Sequence, residues 1–276
     1  MQPLLTAPIG YEVDDGTTHA PLVQATVGGV ATRLILDTGS SDHILTAELC
    51  AAAGLATEPG EPGTDSTGSS VPSWQARGVA IEIGQVGFAF DEVVVITAPP
   101  PFRSGGIGGI LSPQRLRPGT HVLLDLAGGQ VAMLESGDAL PGWLSDAFPG
   151  WRHLVLPPVD GDGTILVRAA IDPFPPVVTM LDSGAKATYA AQTAVPGLGQ
   201  GGVSRSTGRG VGGSESFGVD VPGQTLRVGD ATLPVDLLIA SHELGLPGCV
   251  VGMDLLRGTA LVVGGPPGSP VHWLLP

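Results

Sequence analysis

Lysine is nearly absent from the sequence: Lys186 is the single one among 12 basic residues, against 26 acidic ones, for a formal net charge of −14. No basic stripe exists to follow a phosphate backbone, so a nucleic-acid partner is excluded. Cysteine is scarce as well. Cys50 and Cys249 lie in opposite halves, too few for a disulfide framework, and they read as free, buried, small hydrophobes. Cysteine and histidine nowhere cluster at ligand spacing, so no metal site is expected. No apolar run reaches the roughly 18 residues of a membrane-spanning helix. Residues 1–10 lack a charged start and a continuous apolar stretch, so no signal peptide is read there. A cytoplasmic location, or a secreted or periplasmic one after loss of a leader, both stay open.

What the chain has is glycine (43), proline (26) and 42% hydrophobic residues in a length of 276. That length suits one large domain or two small ones. Glycine and proline fall between apolar runs, where they read as turns between strands. Strands are predicted at 23–27, 31–36, 79–83, 93–96 and 122–126, and again at 165–170, 177–181, 225–228, 235–240 and 259–263. A short helix is predicted over 47–53, with Thr46 as N-cap and Gly54 beyond its end. A second is predicted over 253–257. The Pro-, Gly- and Trp-rich stretch 137–163 reads as a connection between two lobes, 1–150 and 151–276.

The sequence also repeats. Leu36-Asp37-Thr38-Gly39 returns as Leu181-Asp182-Ser183-Gly184, with the aspartates 145 residues apart. Ile81-Glu82-Ile83-Gly84 returns as Leu226-Arg227-Val228-Gly229 at the same shift. Ser66-Thr67-Gly68 is matched to Ser206-Thr207-Gly208 at a shift of 140, and Ile107–Leu111 to Val250–Asp254 at 143. Four matches in one order argue for a duplicated unit.

Leu36-Asp37-Thr38-Gly39-Ser40-Ser41 resembles the first active-site signature of pepsin-like aspartic proteases, and Leu181-Asp182-Ser183-Gly184-Ala185 the second. The compact lobes are also similar to retroviral-type protease monomers joined in tandem. The resemblance implies an all-β, bilobal, pepsin-like acid protease fold with a few short helices. It implies one catalytic carboxylate from each lobe, Asp37 and Asp182, and no metal or organic cofactor. The chemistry can be stated from the residues. Two carboxylates a few ångströms apart cannot both ionise easily, so one keeps its proton. The ionised one serves as base toward water and the other as acid toward the substrate. Gly39 and Gly184 let the backbone approach the carboxyl groups, the resemblance implies that the Thr38 and Ser183 hydroxyls brace one lobe against the other, and Ser40 is expected to bond Asp37.

The resemblance departs from pepsin at the cover over the site. Pepsin-like enzymes carry a tyrosine on a hairpin flap, but Tyr11 and Tyr189 both lie outside the candidate flap at 64–78. Ser66, Thr67 and Gly68 stand near its tip as candidate substrate contacts, and Trp74, its single aromatic, is a further candidate to cover substrate. Residues 201–213 form a candidate second flap. Lys186, Asp42 and His43 flank the two motifs and read as surface or local hydrogen-bonding residues. The expected function is hydrolysis of a peptide or protein substrate by a monomer. The competing class is a non-catalytic peptide-binding or inhibitor-like module on the same fold.

Overall fold

The computed structural model describes residues 2–14, 17–65, 67–137, 139–161, 163–209, 215–240 and 248–276. The chain is all-β and bilobal, with two closed six-stranded barrels and a few short helices. In the first barrel the hairpin Thr17–Val27 and Val30–Leu36 runs antiparallel, and Val30–Leu36 lies parallel to Ile107–Leu111. In the second, Leu166–Ile171 pairs antiparallel with Val177–Leu181, which lies parallel to Cys249–Val251. Each barrel has a long outer hairpin, Trp74–Ile83 with Val86–Ile96 and Glu215–Val228 with Ala231–Ala240. Gly84 and Gly229 turn these hairpins with φ of 61° and 56°, a left-handed conformation that strongly favours glycine.

Six further strands form a base sheet that draws equally on both halves. Its order is Arg152–Leu156, Val271–Leu275, Ala260–Gly264, Thr120–Asp125, Gln130–Glu135 and Leu5–Asp14. Alternation divides its side chains. Val122, Leu124, Met133, Val263 and Trp273 join the main core with residues of both barrels. Leu123, Leu134, Val262 and Leu274 face the other way, under Leu140, Leu144 and Phe148 of the helix Leu140–Ala147 and its end. Trp273 is fully buried, and its indole N–H donates to Thr259 Oγ1 at 2.9 Å.

The helix Ala47–Ala52 forms where predicted, with Leu49 N–H donating to Thr46 Oγ1 at 3.2 Å. The helix Met253–Leu256 forms as well. The stretch 137–163 is more structured than its composition suggests, since it holds the helix Leu140–Ala147 and the strand Arg152–Leu156. Pro141 is compatible with that helix because it stands in the first turn, where no N–H is needed.

Two of the repeat matches are corrected by the strand register. Leu36 stands beside Leu111 and Leu181 beside Val251. Val250-Val251-Gly252 therefore corresponds to Ile110-Leu111-Ser112, three residues on from the alignment made on glycine. Glycine abundance misled the match, because Gly109 and Gly252 occupy different places. The second correction concerns Ser206–Gly208, which run within the strand Ser204–Arg209, whereas Thr67 and Gly68 lie in a tight turn.

Candidate functional site

Each aspartate leaves the end of a strand whose last residue is fully buried, Leu36 in one barrel and Leu181 in the other. The backbone then makes the same bond twice. Asp37 N–H donates to Leu111 O and Asp182 N–H to Val251 O, both at 2.9 Å. The turn that follows points amides at the carboxyl group. Gly39 N–H donates to Asp37 Oδ1 at 2.8 Å, while Gly184 and Ala185 N–H donate to Asp182 Oδ1 at 2.8 and 3.0 Å. The two carboxyl groups stand close enough for each to shift the protonation of the other. A Cβ built on Gly39 would lie 2.5 Å from Asp182 Cγ, and one on Gly184 2.5 Å from Asp37 Oδ2. Each glycine thus leaves the space that the opposite carboxyl fills.

Thr38 and Ser183, both fully buried, cross-link the two turns. Thr38 Oγ1 donates to Leu181 O at 2.6 Å and accepts from Ser183 N–H at 3.0 Å. Ser183 Oγ donates to Leu36 O at 2.7 Å and accepts from Thr38 N–H at 3.0 Å. Each hydroxyl therefore holds one donor and one acceptor of the opposite lobe. All four bonds are buried, where leaving one unmade costs about 1–3 kcal/mol.

Burial is the main cause that raises both carboxyl groups above the usual range. For Asp182 the charge of Asp37 adds to it, and Asp182 stands well above an ordinary carboxylate. The Gly39, Ser40 and Gly184 amides pull Asp37 back. Each carboxyl figures in the shift of the other, so the titration belongs to the pair rather than to either residue. Lys186 is exposed and is not among the groups that shift either carboxyl. Tyr189 stands in the field of the pair: burial first, then Asp182, Asp254 and Asp37, oppose ionisation of its phenol.

Around this centre the lobes use one plan with different side chains. In the second, Thr188 Oγ1 accepts from Gly252 N–H at 3.1 Å and donates to Asp254 Oδ1 at 2.8 Å. In the first, His43 Nδ1 accepts from Ser112 N–H at 3.2 Å, and its Nε2 faces Arg115 O at 3.3 Å. Burial lowers the His43 pKa to about 4. Its ring packs at 4.2 Å from Phe90. Arg115 pairs with Asp42 at 3.1 Å and also bonds Ser41 O. Gln114, beside it, bonds Thr38 O, Ser40 O and Gly163 O. Sequence reasoning missed Gln114, Arg115, Thr188 and Tyr189. Only the constant offset from each aspartate would have pointed to Thr188, which lies 145 residues after His43.

The remaining candidates are placed as follows. Ser40 Oγ donates to Asp42 O at 2.7 Å, so it is the Ser40 amide, not the hydroxyl, that serves Asp37. Ser66 lies outside the described residues, as does part of 201–213. Gly63–Thr64 pairs with Ser70–Val71 in a small hairpin. In its turn, Asp65 Oδ1 accepts from Thr67 N–H at 2.9 Å and from Ser69 N–H at 3.1 Å, and Gly68 takes a φ of 79°. Trp74 sits opposite Val95 on the outer hairpin and packs against the main core. Cys50 and Cys249 are free and buried. Among the described residues no group of three or more His, Cys, Asp or Glu could hold a metal ion, and no helix is long and apolar enough to cross a membrane.

No curated protein matches the chain. Residues 23–112 match a family model described as aspartyl protease. That segment contains Asp37, its turn, the outer hairpin and the strand Ile107–Leu111 that supports it. The all-β, two-barrel architecture of the whole chain fits the same family, and the chain is similar to the aspartyl proteases of the retropepsin-like clan.

Proposed function

We propose that the chain is an aspartic endopeptidase whose reacting groups are Asp37 and Asp182. The observation that supports this reading is the juxtaposition of two carboxyl groups, each against the opposite turn glycine, on equivalent turns braced by Thr38 and Ser183. Both aspartates are half-buried, which keeps the pair desolvated yet reachable by water. The ionised member takes a proton from water as the water oxygen attacks the peptide carbonyl. The protonated member gives its proton to the carbonyl oxygen, forming a gem-diol. Collapse of the diol then breaks the C–N bond, with the proton held by the first carboxyl passing to the leaving nitrogen and a diol O–H proton returning to the second carboxylate. The pair ends with one proton, as it began. Peptide would lie extended between the lobes 1–150 and 151–276, held by backbone hydrogen bonds.

Digestion of a diverse peptide library between about pH 3 and 7, a range bracketing ordinary and raised carboxyl pKa values, tests the reading. New internal termini are expected from the wild-type chain and none from Asp37→Asn or Asp182→Asn. Equal cleavage by the variants would sink the assignment. A second reading, a peptide-binding module without turnover, draws on the small hairpin Gly63–Val71, which carries no aromatic residue. It predicts peptide binding by wild type and Asp182→Asn alike, with no cleavage by either.

A further inference from the structure

Gln114 lies in the short turn Pro113–Arg115, directly after the strand that supports Asp37. Its Nε2 donates to Gly163 O at 2.8 Å, Ser40 O at 3.1 Å and Thr38 O at 3.3 Å. Three carbonyls around one terminal atom identify that atom as nitrogen, and its two hydrogens are shared among them. The other terminal atom, Oε1, is buried without a hydrogen-bond partner. The group is therefore held by its nitrogen end alone. Two of its acceptors belong to the turn that carries Asp37, and the third belongs to the connection between the halves. Thr38 O also accepts from Ile165 N–H at 3.3 Å, and Ile165 O accepts from Leu181 N–H at 2.9 Å, so the chain just beyond that connection touches both aspartate-bearing segments.

The corrected register places Asp254 where the first lobe has Gln114. Asp254 turns back on its own lobe and accepts from Thr188 N–H at 3.0 Å and Thr188 Oγ1 at 2.8 Å. Duplicated positions have thus diverged, and only the first-lobe side chain spans the aspartate turn and the connection.

We propose that Gln114 is a positioning residue whose amide clamps the Asp37 turn to the connection at Gly163 and sets how closely the two carboxyl groups share their proton. This deepens the aspartic-protease reading and rests on it. The test compares wild type with Gln114→Met, which keeps the length and removes the donors, and Gln114→Glu, which turns them into acceptors. Carboxyl carbons labelled with ¹³C at aspartate are titrated by NMR, and peptide turnover is measured in parallel. In both variants the pair's apparent titration is expected to move by about half a pH unit or more. kcat is expected to fall about ten- to a hundredfold with KM nearly unchanged, as for a misplaced reacting group. Should Gln114→Met fail to fold, Gln114→Asn carries the same two expectations. An unmoved titration overturns the proposal, even if Tm drops. A wild type without turnover would instead count against the protease reading, and the titration would still decide the role of Gln114.

Discussion

Gly39 and Gly184 face each other's aspartate across the lobe boundary, and a single methyl group at either position would stand 2.5 Å from the opposite carboxyl. No flexible neighbour can yield there, because the carboxyl is itself held by turn amides. Gly39→Ala is therefore expected to separate the pair and lower kcat about a hundredfold or more. It should also pull the raised aspartate titrations toward the ordinary range, visible by carboxyl NMR. The aspartates carry a stability consequence of their own. Their folded pKa values lie above the unfolded ones, so the unfolded chain binds fewer protons and ionisation at neutral pH opposes folding. That penalty is absent in acid and grows as pH rises through the unfolded value of about 4. Asp182→Asn should thus raise Tm at pH 7 and leave it little changed near pH 3, while abolishing activity. A lower Tm at pH 7 would mean that the pair is a structural asset.

At the scale of the element, the parts legible in the sequence were those set by local chemistry. The Thr46 cap and the helix after it follow from hydrogen-bonding groups within a few residues. The strands at 31–36 and 177–181 are apolar runs ended by an Asp-Thr/Ser-Gly turn, and both strand and turn form there. Illegible were features set by partners far along the chain. The strand Val271–Leu275 is buried on both faces and so shows no alternation. Gln114 has no motif of its own, because its three acceptors come from two distant segments. The Ser112–Gly252 equivalence needed the register of parallel strands, which composition does not encode. One element also sets a pH dependence. His43 takes its proton near pH 4 when folded and near 6.5 when unfolded, so the unfolded chain is protonated first. Its contribution is intact above about pH 6.5 and fades as pH falls toward 4, by on the order of 3 kcal/mol. Protonation at Nδ1 would remove the acceptor for Ser112 N–H, under the first aspartate turn. Urea unfolding of His43→Gln should accordingly lose less stability between pH 7 and 4 than wild type does. Equal losses would count against the buried neutral imidazole.

For the whole molecule, the base sheet explains why the two halves form one structure. Strand Thr120–Asp125 of the first half pairs directly with Ala260–Gly264 of the second. The sheet's two faces join the barrel core and the Leu140–Ala147 helix. Residues 1–150 alone would leave the edge of Thr120–Asp125 unpaired, along with the apolar surface that Val262 and Trp273 cover. Such an edge is a template for association. That fragment is expected to be aggregated or poorly ordered by NMR, and to become soluble and ordered on co-expression with 151–276. A well-dispersed spectrum from 1–150 alone would show that the first barrel closes without its partner. The same architecture puts one aspartate turn from each barrel against the other, held by Thr38 and Ser183 at one level and by the base sheet at another. Under the proposed function, its central consequence is that neither carboxyl works without the other. The pH dependence of kcat/KM on a cleaved peptide tests this most directly. A bell with two limbs is predicted for the wild type, since one proton must be present and one absent, with no measurable turnover at any pH for Asp37→Asn or Asp182→Asn. A single-limbed profile, or a variant that keeps wild-type turnover, would contradict it.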